Sequence, residues 1–289
     1  MTWTDKLISA RKSVLNGLLR VRADDVLNPE PVDRTPVDPV QAAAEVRRAV
    51  NAFKAAAMDP DGRHVGYVQL RESKAFAEYR RVCTPPLRDL DLATLATREQ
   101  RLAFWINLYN ALVVDAVIAF GVQRSVTEGF AGVVRFFRRA AYNVGGYRFS
   151  CDDIEHGVLR ANRGHPFIPG PQFGPSDPRR AFVVEPLDPR IHFALNCASR
   201  SCPPIGVYDA ARIDAQLEVA TRSFLDAEVH VDPERGEVCL SSILKWFGGD
   251  FGDVRAFVRR HLGDDPRSEW LRDRVARISY TPYNWALNT

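Results

Sequence analysis

The chain has 289 residues, of which 46% are apolar and 26% charged, a globular balance that supports a sizeable core and excludes general disorder. Its 39 basic residues are nearly matched by 36 acidic ones, and the resulting charge of +3 is too weak to imply nucleic acid. The most apolar stretch, 108–120, is interrupted by Asn110 and Asp115 and falls short of the ~18 continuous apolar residues of a membrane span, so no transmembrane segment is expected.

The N-terminal MTWTDKLISARKSVLNGLL lacks the continuous apolar core and small-residue cleavage site of a secretory signal, and reads as a short amphipathic helix. Its Trp3, Leu7, Leu15 and Leu18 suit docking either on the chain's own domain or on a partner. Four prolines in 27–39 then predict an extended arm, because each removes a backbone donor and biases its predecessor away from helix. Residues 1–39 are therefore taken as an N-terminal helix and proline-rich arm, and 40–289 as one main domain.

Within that domain the apolar spacing predicts a helix over 40–58, ended by Asp59-Pro60-Asp61-Gly62, and another over 73–83 before Pro85-Pro86. QRLAFWINLYNALVVDAVIAFG is apolar on nearly every face and stops at Gly121, which predicts a long buried central helix. Arg135, Arg138 and Arg139, set among Val134, Phe136 and Phe137, read as a half-buried helix with a solvated face. YNVGGYRF reads as a hairpin turning at Gly145-Gly146, and Ser150 as the cap of a helix carrying Asp152, Asp153 and Glu155 in its first turn.

A Gly/Pro-rich loop follows over 164–178. Strands are expected over 181–185 and 190–195, a helix over 214–224, a hairpin over 228–240, a helix over 254–262 and a final strand in RISYTPYNW. Helices come first and strands later, without regular βα alternation, which predicts an α+β fold with the buried central helix packed on a mainly antiparallel sheet. No glycine-rich phosphate loop is present, so no nucleotide cofactor is expected.

Chemistry concentrates in IHFALNCASRSCPPIGVY, where an apolar run gives way to small polar residues. Five cysteines are an odd number in a chain too large to need stapling, so free thiols and a reducing cytoplasm are the expected setting. Cys197 is the candidate nucleophile, since a tight loop of backbone donors beside Arg200 favours a thiolate. A thiol needs a base, in practice histidine. On an extended strand His192 and Cys197, five residues apart, face opposite sides, which leaves His156 as the stronger partner and His192 in reserve.

Competing readings are a buried, unreactive cysteine in a noncatalytic ligand- or protein-binding module, and a zinc site on His192, Cys197 and Cys202. The zinc set lacks a tight C-x2-C spacing and an evident fourth ligand. No bound metal is therefore assumed.

AFWINLYNALVVDAV, VGGYRFSCDDIEHGVLR, DPRIHFALNCASRSCPPI, SSILKWFGGDF and ISYTPYNWALN together resemble the bacterial and plant family called domain of unknown function 547, in consistent order over 65–289. The resemblance implies shared positions at Trp105, Asn107, Tyr109 and Asn110, at Glu155, His156 and Arg160, and at His192, Asn196, Cys197, Ser201 and Cys202. It brings no settled biochemistry. The family tends to have Tyr-Asp-Trp where this chain has Tyr283-Asn284-Trp285, which weighs against a catalytic role at 284.

The expectation from residues and resemblance together is a papain-like or transglutaminase-like thiol enzyme acting on an amide, peptide or thioester bond of a small molecule or peptide. In it Cys197 is the nucleophile, His156 the base and Glu155 its orienting group. Asn107, Asn110, Asn196, Arg160 and Ser201 line the substrate site, with Asn107, Asn196 or backbone donors near Ala198 binding the oxyanion; the competing reading of Asn107 and Asn110 on the buried helix is hydrogen bonds that pin neighbouring loops.

Overall fold

Thr97 and Gln100 start the helix around which most of the protein is organised. In the computed structural model, which describes residues 2–30, 38–129, 131–272 and 276–289, Thr97 Oγ1 accepts from the Gln100 N–H at 3.2 Å. Gln100 Oε1 accepts in return from the Thr97 N–H at 3.0 Å, a reciprocal capping box. The central helix, Arg98–Phe120, ends at Gly121, whose φ of 64° is a left-handed conformation that glycine adopts without a Cβ clash. Every residue from Leu102 to Val117 is buried. The helix is long and apolar enough to cross a membrane by length and composition, and here it is a core helix enclosed by the rest of the chain.

Against it packs the helix Pro39–Ala57, capped by Asp38 and contributing Val46, Val50 and Phe53 to the same core. The N-terminal helix, Trp3–Leu18, docks on its own domain. Asp5 accepts from the Ser176 N–H and hydroxyl, both at 2.8 Å, Lys12 meets Asp153 at 2.8 Å, and Arg11 donates to the carbonyls of Pro169 and Pro171. Leu15 is half-buried, while Trp3, Leu7, Val14 and Leu18 face outward. The proline-rich arm expected over 27–39 falls across 31–37, which lie outside the described residues.

The hairpin pairs β1, Ala141–Val144, with β2, Tyr147–Ser150, around Gly145 and Gly146, both at positive φ. A second sheet joins β3, His230–Asp232, antiparallel to β4, Glu237–Ser241, and β4 parallel to β5, Arg277–Thr281. Among the described residues the protein is thus α+β, mainly helical with two small sheets.

A mainly antiparallel sheet beneath the central helix is not what forms. Residues 181–185 and 190–195, expected as strands, lie in or beside 3-10 turns, Pro178–Phe182 and Pro189–Phe193. Each turn opens on Asp-Pro. Asp177 and Asp188 accept from the N–H two residues on, at 3.0 and 3.1 Å, and the proline fixes φ for a turn. This local capping overrides the apolar run that suggested a strand. Arg138, expected on a solvated face, is likewise buried at 4% exposure against Asp152.

Among the described residues two hydrophobic clusters result. One surrounds the central helix; the other gathers Phe193, Phe224, Leu240, Leu244, Phe257 and Val258 from the second sheet and its neighbouring helices. The candidate site draws its walls from both.

Candidate functional site

Ser150 Oγ accepts from the Asp153 N–H at 3.1 Å, while Asp153 accepts from both the Ser150 N–H and hydroxyl. The turn that follows, Asp153–Leu159, winds in π geometry rather than as the ordinary helix the sequence predicts. The wider winding re-aims its side chains. Glu155 accepts from the Tyr109 hydroxyl at 2.9 Å, and burial raises its carboxyl. His156 is 5% exposed, with Nδ1 at 3.2 Å from an Arg160 guanidinium nitrogen. Arginine can only donate, so Nδ1 carries the lone pair and Nε2 the proton. Burial first, then His165 and Arg160, hold this imidazole neutral far below its ordinary range.

Arg160 also clamps a residue the sequence reading did not single out. Its Nε and Nη2 reach the two oxygens of Asp250 at 2.6 and 3.1 Å. His192 Nε2 meets the same carboxylate at 2.9 Å. The carboxylate accepts, so Nε2 bears the hydrogen and Nδ1 keeps its lone pair. Burial alone would raise the Asp250 carboxyl, but the hydrogen bonds from His192 and Arg160 hold it well below the usual range. Burial lowers His192, whose ring stacks on Phe247 at 4.0 Å. Because His192 sits on a 3-10 turn and not a strand, the period-2 argument that put it in reserve does not apply.

The asparagines expected to bind substrate instead hold the loop. Asn110 donates to the Ala194 carbonyl and accepts from the Asn196 N–H, both at 2.9 Å. Asn196 donates to the Pro203 carbonyl at 2.7 Å and accepts from the Ala198 N–H at 2.8 Å. Asn107 clamps Tyr208 in the same two-sided way, at 2.7 and 3.0 Å. Each is a buried amide matched to a backbone donor and acceptor, which makes it a clamp, and none of the three lines the cavity described below. Ser201 turns toward the C-terminal segment, accepting from the Asn284 N–H at 2.9 Å. Asn284 itself is exposed.

The loop so held brings the Cα atoms of Cys197 and Cys202 to 6.0 Å, within bridging range, and the two form a disulfide. The expectation of free thiols holds for Cys83, Cys151 and Cys239 and is corrected for this pair. In this disulfide form the two sulfurs of the zinc set His192, Cys197 and Cys202 bind each other. Among the described residues no three His, Cys, Asp or Glu are grouped to hold a metal. The Tyr283 hydroxyl lies 3.0 Å from Cys197 Sγ and 3.1 Å from Cys202 Sγ, and accepts from Ser199 at 3.1 Å.

These groups line one cavity of about 380 Å³. Glu155, His156, His165, His192, Cys197 and Cys202 share it with Asp152, whose carboxyl burial pushes up to about 7 against the opposing Arg138. An aromatic wall closes it: Trp246 packs on Tyr283 and Trp285 at 4.8 and 5.7 Å, and Phe167 on Trp246 at 6.4 Å. A larger cavity of about 630 Å³ beside residues 55–71 contains His64 but no thiol, so the candidate thiol and its neighbouring histidines gather in the smaller one. The sequence reading thus brought Cys197, His156, Glu155 and His192 to one place, with Arg160 linking the two histidines. It missed Asp250, Asp152, His165 and Tyr283. All but His165 lay in motifs already noted, SSILKWFGGDF, VGGYRFSCDDIEHGVLR and ISYTPYNWALN, where no site role was read for them.

Residues 92–225 match the family described as Protein of unknown function, DUF547. The matched stretch contains both histidines and both bridged cysteines and stops before Asp250 and Tyr283. No curated protein and no solved structure matches the chain.

Proposed function

Because this chain carries a DUF547 domain over residues 92–225, we propose that the cavity beside it is a thiol-dependent hydrolase or acyltransferase site for an amide, peptide or thioester bond. One observation carries the reading: His192, hydrogen-bonded to Asp250 at 2.9 Å, opens on the same cavity as Cys197. A base oriented by a buried carboxylate beside a sulfur is the arrangement that thiol catalysis requires.

In the reduced protein, His192 Nδ1 takes the proton from Cys197 as its sulfur bonds to the substrate carbonyl carbon. Asp250, on the opposite nitrogen, stabilises the imidazolium that forms. Collapse of the tetrahedral intermediate breaks the C–N or C–S bond, and His192 returns the proton to the leaving group. Water or an acceptor amine then releases the acyl group. His156 moves from base to donor in this scheme: Nδ1 faces Arg160, and its Nε2–H is suited to the developing oxyanion. The aromatic wall suits an apolar acyl group or side chain. The papain-like or transglutaminase-like comparison enters as chemistry alone.

A noncatalytic binding module is the second reading, favoured by the fact that both sulfurs are paired. The alkylation rate of each cysteine against pH, read by peptide mass spectrometry on reduced folded protein, decides between them. Fast labelling of Cys197 well below pH ~8.5, slowed in His192→Ala, supports the thiol site. A Cys197 that labels no faster than an ordinary thiol and ignores His192→Ala leaves the binding module.

A further inference from the structure

We infer that Cys197 and Cys202 are a reversible dithiol–disulfide couple, opened in the folded protein by a dithiol reductant that enters the cavity and attacks the Cys197 sulfur. The inference deepens the proposed function, since the bond blocks the sulfur that reading needs as nucleophile. It stands on its own observations.

The first is asymmetry. Both cysteines line the cavity, but Cys197 is half-buried while Cys202 is 6% exposed. An incoming thiolate therefore reaches Cys197 first. The second is what surrounds the leaving sulfur. The Cys197 N–H donates to Cys202 Sγ at 2.8 Å, and the Tyr283 hydroxyl lies 3.1 Å away. Ser199 already donates to the Tyr283 oxygen, which leaves the phenolic hydrogen for the sulfurs. A backbone donor and a hydroxyl together stabilise the thiolate that departs, and a better leaving thiolate exchanges faster.

The third observation is that hydrogen bonds other than the disulfide also hold the loop. Asn110 and Asn196 hold it from inside, and the C-terminal segment holds it from outside, through the Arg200 N–H to the Ala286 carbonyl at 2.9 Å and the Asn288 N–H to the Ala198 carbonyl at 3.2 Å. Opening the bond leaves both thiols in place to close again.

The electrons balance as two ordinary exchanges. The first reductant thiolate bonds to the Cys197 sulfur while the S–S bond breaks, and Cys202 leaves as thiolate and takes a proton. The reductant's second thiolate then attacks its own sulfur in the mixed disulfide and releases Cys197. The reductant becomes a disulfide, having given two electrons.

The test equilibrates the folded full-length protein with dithiothreitol at increasing ratios of reduced to oxidised reagent, then counts labelled cysteines by peptide mass spectrometry. Cys197 and Cys202 are expected to gain label together, as a two-electron transition that reverses on re-oxidation with an unchanged near-ultraviolet circular dichroism spectrum. A pair that opens only on unfolding, or that stays as thiols under oxidant, overturns the inference. The attacked sulfur is read by treating the oxidised folded protein briefly with glutathione, trapping free thiols with N-ethylmaleimide and locating the glutathione adduct by peptide mass spectrometry. The adduct is expected on Cys197 at least tenfold more than on Cys202, and equal adducts or the reverse order overturn that assignment. A couple that cycles while reduced Cys197 ignores His192→Ala upholds this inference and removes the acyl-transfer reading.

Discussion

Asn107, Asn110 and Asn196 are as deeply buried as His156, Arg160 and His192, all between 1% and 5% exposed, yet the two sets leave different things open. Each asparagine meets a backbone carbonyl with its amide and a backbone N–H with its oxygen, so the hydrogen bonds close on the loop they hold. The charged set closes only on one side. Asp250 gathers Arg160, Arg163 and His192, while each histidine keeps one ring nitrogen outside these pairings. Burial of a polar group is therefore not by itself a sign of chemistry. The sign is a buried group whose orientation is fixed at one atom and unused at another.

The comparison breaks most sharply at Asp250. Asp250→Ala removes the partner of a buried guanidinium, and loss of one member of such a pair costs roughly 3–5 kcal/mol. A urea midpoint shifted by that amount is expected, with the m-value unchanged. The substitution also frees the His192 ring, so reduced Cys197 should lose its fast alkylation. A shift below about 1 kcal/mol would mean that Arg160 finds other acceptors and that the charged set is not held by Asp250.

Asn110→Ala sharpens the contrast from the other side. It strands the Asn196 N–H and the Ala194 carbonyl, and two unpaired buried backbone groups at ~1–3 kcal/mol each give an expected loss of about 3 kcal/mol. An amide does not titrate, so the pH dependence of stability should keep its shape while the whole curve drops. If the slope with pH changes as well, the amide and charged sets are one network and the distinction fails.

How much of this was legible in the residues follows the same division. The central helix was, because Thr97, Gln100 and Gly121 state its ends and its apolar residues state its burial. So was the hairpin at Gly145-Gly146. The strands expected near 181–185 and 190–195 were not, because Asp-Pro capping is a two-residue signal that outweighed a longer apolar run. That error carried into the site. A strand placed His192 and Cys197 on opposite faces and hid the histidine that a carboxylate orients, and that carboxylate lies 58 positions away, where no spacing rule connects the two. The π winding that turns His156 and Arg160 toward each other has no sequence signature among these residues. The Cys197–Cys202 bond was missed for a different reason. Cysteine number and chain size speak to a whole protein, whereas pairing depends on a loop geometry set by Asn110 and Asn196.

The finest test of the comparison uses the opposing titrations within the cavity. His165 is lowered from about 6.5 to about 4 by burial first, then Arg138 and Arg160, and His156 and His192 are lowered too. Across that window the unfolded chain binds protons that the folded one refuses, so the histidine contribution is full above about pH 6.5 and falls away as the pH drops toward about 4. Asp152 runs the other way. Its carboxyl is raised from 3.8 to about 7, chiefly by burial, so the folded protein holds a proton there that the unfolded chain has lost. That contribution is present at low pH and is lost as the pH rises through about 7. Asp152→Asn removes the descending part, and the rise of stability between pH 4 and 6.5 should steepen by up to one proton, roughly 1 kcal/mol per pH unit. Urea midpoints at pH 4.5, 5.5 and 6.5 for both proteins measure it. Parallel curves would show that Asp152 is ionised in the fold throughout, with Arg138 at 3.4 Å as a sufficient partner, and that the cavity carries a fixed negative charge facing its histidines.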